Sequence, residues 1–152
     1  MKKISLVSGG FDPIHRGHIN YIKAAKELGD ELCVGLNSNT WLERKKGNFF
    51  MPSYERKEIL LAIKYVDNVI LFDDSDETAN DFILTAKKIY GDCIFIFCNG
   101  GDRTAENIPE QGKYEDVIFA FGVGGKLKIA ASSHFLEEWG KWYMGKYISG
   151  ET

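Results

Sequence analysis

The sequence predicts an α/β domain of the three-layer, Rossmann-like, doubly wound class, with about five parallel strands. Short apolar runs that favour strands alternate along the chain with segments whose apolar residues recur at helical spacing. A strand, a helix and a second strand also follow one another within residues 3–36, which indicates a right-handed βαβ unit. With 152 residues, the chain is most simply one domain spanning 1–152.

The first half of the chain alternates regularly between these two patterns. Gly29 closes the first predicted helix, in which Ile19, Ile22, Ala25 and Leu28 share one face. The predicted elements are a strand at 3–8, a helix at 17–28, a strand at 31–36, a short helix with an exposed mobile loop within 37–52, and a helix that Ser53 caps and that runs to about 65.

The second half continues the alternation and ends in an aromatic helix. Strands are predicted at 68–72, 93–98 and 116–121, and the last helix begins at Ser132 or Ser133. The acidic residues 73–77 are expected at the start of the helix before the fourth strand, where carboxylates suit the helix dipole. We interpret the aromatic residues of the last helix as core packing, with a homodimer contact through Trp139, Trp142 and Tyr143 as the alternative.

Composition and charge exclude several classes of partner. The net charge of −3 argues against nucleic acid and anionic membranes, and no apolar stretch is long enough to span a membrane or to act as a signal peptide. The chain is therefore predicted to be cytoplasmic. Cys33, Cys93 and Cys98 lie in or beside strand-like runs without the paired spacing of a zinc site, so we expect buried reduced thiols.

The segment 8–20, with the sequence SGGFDPIHRGHIN, joins the first strand to the first helix. Its glycines allow backbone N–H groups to approach a phosphate. His15 and His18 are three residues apart at a helix start, so both imidazoles can face one ligand and donate to phosphoryl oxygens. The segment lacks both the G-x-G-x-x-G dinucleotide motif and the P-loop motif.

Two further polar loops are expected beside this segment. Asn99–Arg103 follows the fourth strand and 122–128 follows the fifth. Because the carboxyl ends of parallel strands lie at one edge of the sheet, the loops after strands one, four and five converge there.

The motif GGFDPIHRGH resembles the H-x-G-H signature of the cytidylyltransferase-like nucleotidyltransferases. The resemblance extends over most of the chain. It includes Lys45-Lys46-Gly47 as the lysine loop, 53–57 as the arginine-bearing helix start, 65–67, Gly100-Gly101-Asp102 after the fourth strand, and 126–133 before the last helix.

This resemblance implies a reaction between a nucleoside triphosphate and a phosphorylated small molecule that releases pyrophosphate. It assigns His15, His18 and Lys46 to catalysis, with Lys45 as the alternative lysine. It implies Mg²⁺ brought by the nucleotide, without a protein metal site, and a homodimer. The residues implied in nucleotide or phosphate binding are Gly9, Gly10, Phe11, Asp12, Lys45, Arg56, Gly101, Asp102, Lys126, Lys128, Ser132 and Ser133.

Three departures from the family pattern affect the expected substrate. Ala131 stands where a hydroxyl residue is usual, Lys126 or Lys128 replaces an arginine, and Asn39 replaces a carboxylate. The glycerol-3-phosphate cytidylyltransferases, the heptose-phosphate adenylyltransferases and the pantetheine-phosphate or nicotinamide-mononucleotide enzymes compete as branches. We expect a sugar or polyol phosphate as acceptor and CTP or ATP as donor. A catalytically weak nucleotide-binding module is the rival interpretation, and a dinucleotide-dependent oxidoreductase is a weaker one.

Overall fold

The computed structural model describes residues 1–101, 108–110, 114–125 and 130–148. Strands and helices alternate through these residues as the sequence predicts. In chain order the elements are β1 (Lys3–Gly9), α1 (Arg16–Leu28), β2 (Glu31–Leu36), α2 (Asn39–Lys46), α3 (Ser53–Leu61), β3 (Asn68–Leu71), α4 (Asn80–Tyr90), β4 (Ile94–Cys98), β5 (Val117–Ala120) and α5 (Ser132–Ile148).

The five strands form one parallel sheet in the order β3-β2-β1-β4-β5. In this order β1 is central, with β2 and β4 paired to its two edges. The chain moves outward from β1 to β3, returns to the other side for β4, and then continues to β5. The strand order therefore reverses between β1 and β4, and a ligand crevice is expected at their carboxyl ends. The predicted fold class is confirmed.

Apolar side chains cover both faces of the sheet. Successive residues of β1 alternate between the two core clusters, with Leu6 in one and Val7 in the other. The Leu6 cluster includes Phe82 and Ile83 of α4, and the Val7 cluster includes Ile22 of α1 and Leu60 of α3. Burial on both faces explains why the strands read as continuous apolar runs, and it gives the three-layer architecture.

The buried-thiol interpretation holds for two of the three cysteines. Cys33 and Cys98 are fully or almost fully buried, whereas Cys93 is partly exposed. Burial raises the pKa of both buried thiols to about 12. These two groups therefore stay protonated at neutral pH and act as small apolar side chains.

Two local expectations are wrong. Pro52, not Ser53, is the N-cap of α3, and the Ser53 N–H instead donates to Asn39 Oδ1 at 2.8 Å. The acidic run precedes α4 rather than beginning it. Asp74 is 3% exposed because it accepts hydrogen bonds from Asn37 Nδ2 and from the Ser38 N–H and hydroxyl, so it fixes the start of α2.

The core-packing interpretation of α5 is also wrong for the described residues. Trp139 is 58% exposed and Trp142 47% exposed. Neither core cluster of the described residues includes a side chain from α5. Its side chains consequently form a surface of the monomer.

Within the described residues, no helix has the length and apolar character needed to cross a membrane.

Candidate functional site

A cavity of about 690 Å³ opens at the carboxyl ends of β1 and β4, where the strand order reverses. Its walls come from the β1–α1 loop, from α2, from the loops after β4 and β5, and from the start of α5. The predicted site residues that line it are Gly9, Gly10, Phe11, Asp12, His15, His18, Lys45, Lys46, Gly101, Ser132 and Ser133. The loops predicted to converge therefore do so.

The two histidines begin α1 and cap each other. His15 is the N-cap, and its Nδ1 accepts from the Gly17 N–H at 3.1 Å. His18 is the third helical residue, and its Nδ1 accepts from the His15 N–H at 3.2 Å. An imidazole nitrogen that accepts carries no proton, so in the neutral ring the proton lies on Nε2. Capping thus makes Nε2–H the donor of each ring in a site that both rings line.

Ring packing fixes the orientation of the pair. The imidazoles stack with centroids 3.8 Å apart and an interplanar angle of 20°. The Phe11 ring meets the His18 ring edge-on at 5.0 Å, and Phe135 of α5 lies 6.0 Å from His15. Because these contacts restrict both rings, the site is organised before any ligand binds.

Packing within the loop accounts for its two glycines. A Cβ on Gly10 would lie 2.8 Å from Leu42 Cδ2, and one on Gly9 would lie 3.1 Å from the Phe11 ring. Phe11 itself is 4% exposed and has a φ of 50°, in the left-handed region. The absence of side chains here lets α2 and the Phe11 ring pack against the end of β1.

Asp12 joins the β1–α1 loop to the loop between α2 and α3. Its carboxylate is 2% exposed and accepts from the N–H groups of Phe50, at 2.6 Å, and Met51, at 2.7 Å. Lys46 donates to the Asp12 carbonyl at 2.5 Å and lies 3.3 Å from its carboxylate. Asp12 therefore orients the loop between α2 and α3, and Lys46 is held at the cavity wall. Lys45 instead lies over the Trp41 ring at 4.6 Å.

The structure contradicts the expectation that Arg56 lies near the phosphates. Its side chain is 1% exposed and does not line the cavity. Its four hydrogen bonds go to the carbonyls of Gly10, Asn37 and Met51 and to Asn39 Oδ1. Burial lowers the pKa of the guanidinium while Asp12 and Asp74 raise it. Arg56 positions three loops around the cavity and is a positioning residue.

Ser132 ties the start of α5 to the same region. Its hydroxyl donates to the Pro13 carbonyl at 2.7 Å, so its hydrogen is already used within the protein. Ser133 also lines the cavity. Asp102, Lys126 and Lys128 lie outside the described residues, and their expected roles remain predictions.

Other cavity residues were not identified from the sequence. Glu110 is 6% exposed, and its Oε1 accepts from the Ala79 N–H at 2.6 Å. Asn37 and Trp41 line the wall beside α2. The position of Asn37 directly after β2 was the available signal, because that loop opens at the same sheet edge. Glu110 lies in a stretch without a periodic pattern and gave no signal.

Comparison with protein families extends the similarity over most of the chain. A family model described as cytidylyltransferase-like matches residues 6–131. The bifunctional protein HldE of Nitratiruptor is 40% identical over 131 residues, which are 85% of this chain and 27% of that protein. HldE of Geobacter metallireducens is 37% identical over 130 residues, which are 84% of this chain and 24% of that protein. The chain thus spans about a quarter of these relatives.

A shorter match and two solved structures agree with this result. FAD synthase of Thermococcus sibiricus is 50% identical over 72 residues, which are 46% of this chain and 49% of that protein. The lipopolysaccharide core biosynthesis protein of Thermoplasma volcanium has a TM-score of 0.63 at 25% identity, with 80% of this chain and 95% of that one covered. The NadR protein solved with NAD and AMP-PNP shares the fold, with a TM-score of 0.54 at 17% identity, covering 93% of this chain and 41% of that one. Because the family model spans most of its length, the chain belongs to the cytidylyltransferase-like nucleotidyltransferase family.

Proposed function

We propose that this chain transfers a nucleoside monophosphate from ATP or CTP to a phosphorylated sugar or polyol and releases pyrophosphate. The observation that carries the proposal is the histidine pair at the start of α1. Mutual capping places the proton of each neutral ring on Nε2, and His15 and His18 line the cavity together with Lys46. Two imidazole donors, a helix N-terminus and an ammonium group together suit a triphosphate.

The proposed chemistry needs little more than positioning and charge neutralisation. A phosphate oxygen of the acceptor attacks the α-phosphorus in line and forms a new P–O bond. The bond from the α-phosphorus to the bridging oxygen breaks, and its electron pair leaves with pyrophosphate. An ionised phosphate is already a nucleophile, so no general base is required. The Nε2–H groups would stabilise the charge that develops on the phosphoryl oxygens.

Magnesium fits this site as part of the nucleotide complex. Among the described residues, no group of three or more His, Cys, Asp or Glu side chains is arranged to hold a metal ion. The Asp12 carboxylate is engaged by two backbone N–H groups and by Lys46. Mg²⁺ retains water and phosphate ligands readily, so the phosphate oxygens would hold it and supply neutralising charge.

A polyhydroxylated acceptor is supported by the polar groups of the cavity wall near α2 and α4. Asn37, Thr78 and Glu110 line that wall together with the indole of Trp41. Amide, hydroxyl and carboxylate groups can hydrogen-bond to sugar hydroxyls, and an aromatic ring can cover the apolar face of a sugar. The similarity to HldE proteins and to a lipopolysaccharide core biosynthesis protein favours the same class. Since the substrates are cytoplasmic metabolites, we also propose a cytoplasmic location.

Pyrophosphate release with each of the four nucleoside triphosphates and a panel of sugar and polyol phosphates tests the proposal. We expect release with ATP or CTP and at least one such phosphate. Phosphopantetheine and nicotinamide mononucleotide belong in the panel because they represent the competing branch. If nucleotide binds but no acceptor yields pyrophosphate, the chain is a nucleotide-binding regulatory module rather than an enzyme.

The match to FAD synthase favours FMN as a second candidate acceptor. FMN is a phosphate ester of a ribityl chain, so it is a polyol phosphate with an attached aromatic ring system. Trp41 and Phe72 both line the cavity and provide aromatic surface for such a ring. Formation of FAD from FMN and ATP, followed by chromatography, distinguishes this candidate from a sugar phosphate.

A further inference from the structure

Glu110 is a buried carboxylate in the wall of the cavity. It is 6% exposed, and it lines the cavity together with Thr78 and Ala79, which precede α4. Its Oε1 accepts from the Ala79 N–H at 2.6 Å, and among the described residues no group donates to its Oε2. A carboxylate offers about four acceptor positions, so about three of those on Glu110 are unused within the described part of the chain.

The other buried carboxylates in the described part of the chain have more partners. Asp12 accepts from two backbone N–H groups and also forms an ion pair with a lysine. Asp74 accepts from Asn37 Nδ2 and from both the N–H and the hydroxyl of Ser38. Several partners are expected, because a carboxylate removed from water is costly unless it is paired and hydrogen-bonded. Glu110 therefore retains the capacity to bind a ligand in the cavity.

Glu110 and the histidine pair approach the cavity from opposite faces of the sheet. Ala79, whose N–H binds Glu110, belongs to the core cluster that α4 covers. Helix α1, which begins at the histidine pair, covers the other cluster on the opposite face. A ligand whose phosphates bind at the histidines therefore has to extend across the edge of the sheet before it reaches Glu110.

The chemistry of Glu110 selects the kind of group that binds there. Its negative charge repels a phosphate, whereas a hydroxyl group can donate a hydrogen bond to it. A hydrogen bond to a charged acceptor is stronger than one between neutral groups. Phe72 and Ile108 line the cavity as well, and apolar walls that exclude water strengthen such bonds further.

We propose that Glu110 accepts hydrogen bonds from two neighbouring hydroxyl groups of a bound substrate and so sets the specificity of the cavity for hydroxylated ligands. This inference rests on the proposed function, which offers two sources of such hydroxyls, the ribose of the nucleoside triphosphate and the polyol of the acceptor. An analogue that lacks one of the two hydroxyls leaves the carboxylate without a donor in a site shielded from water. Such an analogue is therefore rejected.

Glu110 also has a structural role, which a suitable variant separates from ligand binding. Its bond to the Ala79 N–H joins residues 108–110 to the start of α4, and the hydroxyl of Tyr114, which donates to Asn80 Oδ1 at 2.9 Å, supports the same junction. A glutamine keeps an oxygen to accept from the Ala79 N–H and places an NH₂ group at the position of Oε2. Glu110→Gln therefore preserves the junction and replaces the required acceptor by a donor.

Isothermal titration calorimetry distinguishes the two sources of hydroxyls. One arm compares α,β-methylene ATP and CTP with their 2′-deoxy and 3′-deoxy forms. The other arm, at a saturating concentration of the nucleotide analogue, compares each polyol phosphate of the pyrophosphate panel with a form that lacks one hydroxyl, such as glycerol 3-phosphate with 3-hydroxypropyl phosphate. In the wild-type chain, loss of a hydroxyl should weaken binding by roughly tenfold or more in one arm. In Glu110→Gln the same pair of ligands should differ by less than about threefold.

Two further variants control for charge and for folding. Asp116→Asn also removes one negative charge close to Glu110 in the sequence, but it affects an ion pair with Lys87 outside the cavity, so it should keep the wild-type preference. Glu110→Asp retains a carboxylate that is one methylene shorter, and it should lose the preference as Glu110→Gln does. Urea unfolding should show equal stability for Glu110→Gln and the wild-type chain.

The outcomes separate this inference from the proposed function. A wild-type chain without a hydroxyl preference in either arm would overturn the role of Glu110. The same holds if Glu110→Gln keeps the preference, or if it changes only the dependence of binding on Mg²⁺. Because both arms measure binding, a chain that prefers hydroxylated ligands through Glu110 but releases no pyrophosphate would contradict the proposed reaction alone.

Discussion

Replacing His18 separates its role in capping from its proposed role in catalysis. His18 Nδ1 accepts the His15 N–H at 3.2 Å, and its Nε2–H is the donor assigned to the phosphates. Asn carries an acceptor near the position of Nδ1 but has no group that reaches the position of Nε2, whereas Ala removes both. His18→Asn therefore deletes the catalytic donor and preserves the cap, which makes it the matched variant for His18→Ala.

The two variants should differ in stability but not in turnover. Loss of one donor to a developing oxyanion costs about 10²–10³ in kcat, and we expect both variants to fall by at least that factor. Loss of an N-terminal cap costs about 1 kcal/mol, so His18→Ala should be less stable than His18→Asn by about that amount. Pyrophosphate release at saturating nucleotide and urea unfolding measure the two quantities. Near-wild-type kcat in His18→Asn would refute the assignment of His18 to catalysis.

Three further predictions concern the scaffold. Arg56→Lys should lower the free energy of unfolding by about 3 kcal/mol in urea titrations, because a lysine cannot donate to all of the buried acceptors that Arg56 satisfies. Arg44→Lys on the surface is the control and should cost less than about 1 kcal/mol. Gly35→Ala should lower the free energy of unfolding by about 2 kcal/mol, because the new Cβ would lie 2.5 Å from the Phe82 ring. In the control Gly140→Ala the new Cβ meets open space, so thermal melts should show an unchanged or raised stability. Burial acts to raise the pKa of Asp67, but hydrogen bonds from Lys26 and from the Leu32 N–H outweigh it and hold the pKa below its ordinary 3.8. Asp67 should therefore stabilise the fold above about pH 4 and lose that contribution as the pH falls further. Asp67→Asn should flatten the dependence of the free energy of unfolding on pH in this acid range. An unchanged pH dependence in Asp67→Asn would count against the ion pair between Lys26 and Asp67.

Most of the sheet and the position of the site could be predicted because they depend on local patterns. Strands covered on both faces, such as 94–98, read as unbroken apolar runs in the sequence. Their predicted and observed bounds therefore agree within a residue or two. The loops after β1, β4 and β5 meet because parallel strands share one carboxyl edge, which requires no knowledge of side-chain contacts.

The failures share a dependence on long-range contacts. The family resemblance assigns Arg56 to nucleotide or phosphate binding, but the side chain is buried. Its burial depends on acceptors from three loops that only the folded chain brings together. The role of Asp74 escapes prediction for the same reason, since its donors lie more than 30 residues earlier. The aromatic residues of α5 show that composition predicts an apolar helix face without indicating what that face contacts.

The carboxylate of Asp12 has a consequence for the dynamics of the site. Loop amides normally exchange with solvent deuterium quickly because water accepts their hydrogen bonds. The N–H groups of Phe50 and Met51 instead donate to a buried carboxylate that Lys46 holds in place. Their exchange requires the α2–α3 loop to separate from the end of β1, the central strand of the sheet. These two amides should therefore exchange as slowly as strand amides, and their exchange rate reports how often this side of the cavity opens.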